Sequence, residues 1–159
     1  MTKKIPLMRT LLALGALVTT LPAFSQDKPA DSMQMVREKL RADKKLLVAE
    51  AMKLTESQSK GFWPVYESYQ NEYGQVNDRL LKVIQSYADH YASMTDEAAK
   101  KLVEGYMGVE ADRQKIRHAY LPKFRQVLPE VKVARFYQIE NKIQAVVNYE
   151  LAAGIPLIE

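Results

Sequence analysis

Tyr69, Tyr73, Val76, Leu80, Val83 and Tyr87 recur at intervals of four, three, four, three and four residues. Large apolar side chains in that alternation form one seam along an α-helix, and only a second helix laid against the seam hides it from water. A chain carrying it is committed to helix-on-helix packing. The start of this helix is equally explicit. In "LTESQSKGFWPVY", which begins at Leu54, Thr55 and Gln58 fit the S/T-x-x-E/Q capping box. The hydroxyl and the amide each satisfy a backbone N–H that the first turn leaves unpaired. A helix from there to Tyr91 has about 36 residues and is near 54 Å long at roughly 1.5 Å per residue, which predicts a thin, elongated molecule.

Three more helices follow from the same kind of pattern. The first is expected over Met33 to Lys53, capped by Asp31 or Ser32, with Val36, Leu40, Leu47 and Met52 on its apolar side. The third starts after Thr95, with Asp96 and Glu97 favourable at the positive end of the helix dipole. Its stripe is Ala99, Leu102, Tyr106, Val109, Ile116 and Tyr120, with Arg113 standing where an apolar residue is expected. The fourth begins at Pro129 as a first-turn residue, whose missing N–H would be unpaired there anyway. It carries Val133, Phe136, Tyr137, Ile143, Val147 and Leu151 and should stop near Gly154 and Pro156.

Pro64 and Pro122 fall inside these patterns. Each removes the hydrogen bond to a carbonyl one turn back, that of Lys60 or His118, and in a straight helix costs about 3 kcal/mol or more. Bends are predicted at both, with Gly61 easing the first. Phe62 and Trp63 read as core residues that anchor the second helix against the fourth. The fold class is all-α, built from four long, partly bent helices as a helical hairpin or cradle.

The first 25 residues, "MTKKIPLMRTLLALGALVTTLPAFS", read as a secretory signal: Lys3, Lys4 and Arg9, then an apolar core from Leu11 to Leu21, then small residues leading to cleavage after Ser25. The apolar core is shorter than the roughly 20 residues that span a bilayer; an uncleaved anchor is the alternative. No cysteine follows it, which rules out a lipid-anchored lipoprotein. Residues 26–32 read as a flexible lead and 33–159 as one domain. The whole chain has 23 basic and 19 acidic residues; removing Lys3, Lys4 and Arg9 leaves 20 against 19, or +1. That balance, with export, argues against nucleic acid as a partner. An exported chain without cysteine relies on packing or oligomerisation rather than disulfides.

"LTESQ" fits the LTxxQ pattern of the periplasmic Spy and CpxP proteins, and "LPEVKVARFYQIE" from Leu128 is similar to a second copy, with Leu128 matching Leu54, Glu130 matching Glu56, Phe136 matching Phe62 and Tyr137 matching Trp63. The second copy has Pro129 for threonine and Lys132 for glutamine, so it lacks the capping box, and the Pro64 bend is outside the motif. The chain resembles this family over nearly all of its length after the signal in architecture, and over some ten motif residues in detail. The resemblance implies a periplasmic protein whose two chains interlock into a curved homodimer. The concave face of such a dimer holds unfolded or misfolded proteins without ATP or any cofactor, under envelope stress.

Charge is unevenly placed. Residues 54–112 hold ten acidic and five basic side chains, whereas 113–135 hold Arg113, Lys115, Arg117, Lys123, Arg125, Lys132 and Arg135 against Glu130 alone. One reading is a client-binding strip: Arg113, Arg117, Lys123 and Arg135 steer a client while Tyr120 and Phe124 contact it. The other is an ordinary solvated helix face. The nine tyrosines divide the same way, between a loose binding surface and core or dimer contacts. His90, with Asp89 and Asp96 nearby in sequence, is a weak metal candidate, because a site needs at least three convergent ligands. No glycine-rich phosphate loop or nucleophile elbow points to an enzyme. The alternative function is a metal-responsive or signalling accessory that docks on the periplasmic domain of a sensor kinase.

Overall fold

The structure, a computed structural model, describes residues 29–158. The signal expected over residues 1–25 lies outside them. The described chain is all-α: α1 (Pro29–Met52), α2 (Glu56–His90), α3 (Asp96–Val127) and α4 (Glu130–Gly154), with a 3₁₀ turn at Tyr91–Ser93 between α2 and α3. The first turns of α1, residues 29–38, group apart from the rest, and the packing described below is that of residues 39–158.

Local chemistry sets most of the helix ends. The Gln58 N–H donates to Thr55 Oγ1 at 3.3 Å and the Thr55 N–H donates to Gln58 Oε1 at 3.1 Å, so the capping box is complete. Thr95 Oγ1 accepts from the Ala98 N–H at 3.2 Å and caps α3. Pro129 is the N-cap of α4, one position before the expected first turn, and makes no side-chain cap. α1 starts earlier than expected. Pro29 is suited to a first turn because it needs no partner for its nitrogen, and Asp31 and Ser32 lie inside the helix instead of capping it. α2 and α3 run unbroken through Pro64 and Pro122, and Ser68 Oγ donates to the Pro64 carbonyl at 3.0 Å.

Two glycines let α2 and α3 approach closely. A Cβ on Gly61 would sit 3.0 Å from Val127 Cβ, and one on Gly105 would sit 3.0 Å from Val83 Cγ2. Gly61, expected to ease a bend, therefore has a packing role where α2 begins and α3 ends. Between these points the seam closes as predicted: Tyr69, Tyr73, Val76 and Leu80 are buried.

Two apolar clusters result. The larger is aromatic. Phe62, Phe124 and Phe136 are fully buried, with ring centroids 4.4 Å apart for Phe124 and Phe136 and 5.4 Å for Phe62 and Phe136. The Phe62 and Phe136 rings meet edge to face and the Phe124 and Phe136 rings are tilted, and such aromatic pairs add about 0.5–1.5 kcal/mol each beyond area burial. The smaller cluster is Val76, Leu80 and Val109, with Leu151 of α4 packed against it. Tyr106 and Val147, expected on the seams, are exposed.

Among the described side chains, α1 joins the larger cluster through Val48 and Met52; Leu47, expected on its apolar side, is exposed. Burying those two side chains contributes roughly 1.5–3 kcal/mol each, while ordering each residue costs roughly 1–2 kcal/mol. Polar contacts add to this hold on α1. Its C-terminal carbonyls, unpaired within the helix, are satisfied from α4: Lys132 Nζ donates to Met52 O at 2.7 Å and Lys53 O at 2.8 Å, and Arg135 Nε to Ala51 O at 2.6 Å. Cations also suit the negative end of the dipole. Lys53, the next residue, turns the chain at φ 48°, a left-handed conformation usual for glycine after a helix.

Candidate functional site

The expected basic strip is not one exposed face. Arg113 is buried: Nη2 donates to Asn77 Oδ1 at 2.8 Å, Nη1 pairs with Glu110 Oε1 at 2.6 Å, and the guanidinium lies 5.8 Å from the centre of the Tyr73 ring. Tyr120 and Phe124 are core residues. Tyr120 donates to Glu72 Oε1 at 2.7 Å, and Lys123 Nζ rests 3.9 Å over its ring. Arg117 is half-buried, donates to Asn141 and stacks over Tyr137. Arg135 is tied to α1. These contacts correct the expectation for Arg113, Tyr120 and Phe124: a client could reach them only by displacing the interior. The physical reason is periodicity. Val109, Arg113, Tyr120 and Phe124 share the inward face of α3, so the residue type at 113 does not move it outward.

The motif residues fall where helices meet. Phe62 is fully buried against Phe136, and Trp63 is half-buried with its ring 5.0 Å from Phe62. Tyr137, the match of Trp63, donates its hydroxyl to the Arg117 carbonyl at 2.9 Å. Leu128 is buried at the α3–α4 corner and Leu54 packs on the same cluster. The two motif copies thus converge on one aromatic core.

A second polar constellation, with no counterpart in the sequence motifs, joins α1, α2 and α4. Glu140 of α4 is buried. Its Oε2 pairs with Lys44 Nζ of α1 at 2.9 Å and its Oε1 accepts from Gln70 Nε2 of α2 at 3.3 Å. Lys44 also donates to Gln70 Oε1 at 3.1 Å and lies 5.7 Å from the Tyr73 ring centre. Nearby, Lys45 pairs with Glu67 and sits 5.2 Å over the Trp63 ring, and Arg41 donates to Asn71. The available signal was Glu140 itself, a charged residue on the α4 stripe one turn after Phe136. An open cleft of about 240 Å³ remains between α1 and α2, lined by Arg41, Ala42, Lys45, Tyr66, Glu67 and Gln70.

Burial governs the tyrosine titrations. Burial and then the bond to Glu72 push the Tyr120 phenol up to about 12. Burial also pushes Tyr137 up to about 12, against the opposing charge of Arg117. Burial followed by the Glu140 charge raises Tyr66 and Tyr69 well above the usual phenol range. None of these hydroxyls is set up to ionise near neutrality.

Exposed apolar side chains collect elsewhere. Val103, Tyr106 and Met107 are spaced to share one face of α3, each between 46% and 61% exposed. Val146 and Tyr149 of α4 are spaced one turn apart, with Val147 between them, also exposed. Among the described residues no group of three His, Cys, Asp or Glu side chains comes together to hold a metal, and His90 Nδ1 lies 2.7 Å from the Ser86 carbonyl. No described helix is long and apolar enough to cross a membrane. No family model, curated protein or solved structure matches this chain.

Proposed function

We propose that this chain is an exported, ATP-independent holdase of the Spy/CpxP kind, acting in the periplasm as a homodimer on unfolded or misfolded proteins. The observation that carries the reading is the exposed apolar set on α3 and α4: Val103, Tyr106 and Met107, and Val146, Val147 and Tyr149. Interleaved charges keep such a surface soluble, and flexible methionine and amphipathic tyrosine adapt to varied sequences. The complete capping box in "LTESQ" and the shared aromatic core of the two motif copies support the resemblance on which the reading also rests.

Contact with clients is assigned to those exposed residues in place of Arg113, Tyr120 and Phe124. Lys123 stays as an exposed cation able to attract acidic segments. Binding is weak and reversible, as release requires.

The test uses the chain from Gln26 onward in buffer free of metal and nucleotide, with light scattering of an unfolding client at stoichiometric ratios. Suppression that is lost when Tyr106 and Met107 become glutamate supports the reading. No suppression across several clients overturns it.

A further inference from the structure

α1 lies on its neighbours in the manner of a bound ligand. Two adjacent cations reach acids on opposite sides, Lys44 to Glu140 of α4 and Lys45 to Glu67 of α2. Four and eight residues after Lys44, Val48 and Met52 enter the aromatic cluster, and Lys132 and Arg135 take the exposed carbonyls at the helix end. Leu46 and Leu47 face water, and the cleft beside Ala42 is unfilled. The groove is thus acidic at its walls, aromatic at its floor and only partly occupied.

We infer that this groove is the binding site for a basic amphipathic helical segment of a client, and that α1 occupies it in cis as a displaceable substitute. This rests on the holdase reading and assigns the class of segment held. The recognised pattern is two adjacent cations followed by aliphatic side chains four and eight residues after the first, which is helix-in-groove recognition with charge complementarity. A larger apolar side chain at the position of Ala42 extends into the cleft. Lys53, in the left-handed region, separates the end of α1 from the capped start of α2.

The experiment measures fluorescence anisotropy of a labelled peptide of residues 39–53, acetylated and amidated, on the full chain from Gln26 onward. Lys44→Glu with Lys45→Glu in the protein loosens α1, and this variant should bind the peptide about tenfold more tightly than the wild-type chain. A peptide carrying Ala42→Leu should bind more tightly still. Adding Glu67→Lys and Glu140→Lys to the groove should abolish both. Binding that ignores the groove reversals overturns the inference.

Hydrogen exchange on the wild-type chain is a second test that needs no variant. Amides of α1 from Lys39 onward should exchange well before those of α2 around Tyr69, and equal protection overturns displaceability. Suppressed client aggregation with no peptide binding defeats this groove and leaves the holdase reading standing. Absence of suppression defeats both.

Discussion

Removing Lys44 should expose how far α1 relies on its buried ion pair. In Lys44→Met the stem is kept and the charge is lost, leaving the Glu140 carboxylate, 5% exposed, with only the Gln70 amide at 3.3 Å. Breaking a fully buried pair costs about 3–5 kcal/mol. The Lys44 side chain is 21% exposed, so water reaches the site and the loss is reduced to about 2 kcal/mol. Glu140→Leu alone frees Lys44 to turn toward water and should cost about 1 kcal/mol. With both replaced, no charge is left uncompensated and the double variant should lie within about 1 kcal/mol of the wild type. Urea denaturation followed by circular dichroism at 222 nm gives all four stabilities. The cycle should return a coupling of about 2–4 kcal/mol, large for a surface pair. Additive losses, or a Lys44→Met chain as stable as the wild type, would refute the burial of Glu140.

Other outcomes follow from the same structure. Thr55→Ala removes the acceptor for the Gln58 N–H and should cost about 1 kcal/mol; an unchanged melting curve counts against this helix start. Lys53→Gly relieves a left-handed side chain while leaving the backbone carbonyl that Lys132 uses, and should stabilise by about 1 kcal/mol; a loss would show that the turn is unstrained. Tyr120 and Tyr137 are held protonated up to about 12, above the ordinary value of 10. The folded chain therefore keeps protons that the unfolded chain releases, so stability is full below pH 10 and falls as pH rises toward 12. Thermal melts paired with phenolate absorbance should show late titration and falling stability together, and all tyrosines titrating near 10 in a folded chain would contradict it.

The heptad seam, the capping box and the turn at Thr95 were legible because each is local: residue type and spacing decide them within one or two helical turns. The aromatic core was half legible, since Phe62 and Phe136 could be paired through the repeat while the depth of Tyr120 and Phe124 could not. The misreading of 113–135 as a strip has a plain cause. The seven cations of that stretch lie on two helices, five on α3 and two on α4, and point in different directions at 3.6 residues per turn, so tertiary partners claim them separately: Asn77 and Glu110 take Arg113, and α1 takes Lys132 and Arg135. The Lys44–Glu140 pair joins residues 96 positions apart, a distance no local pattern spans.

Client contact on the exposed apolar residues of α3 and α4, away from the basic stretch, remains a proposal that crosslinking tests directly. The chain has no cysteine, so single cysteines at Met107, at Tyr149 and, as a control, at exposed Lys60 can each carry a benzophenone label. Photolysis during capture of an unfolding client should give crosslinks at 107 and 149 and few at 60, and photolysis begun after the client has folded should give none at any of the three. Capture that crosslinks equally at 60, or not at all at 107 and 149, would contradict the assigned surface.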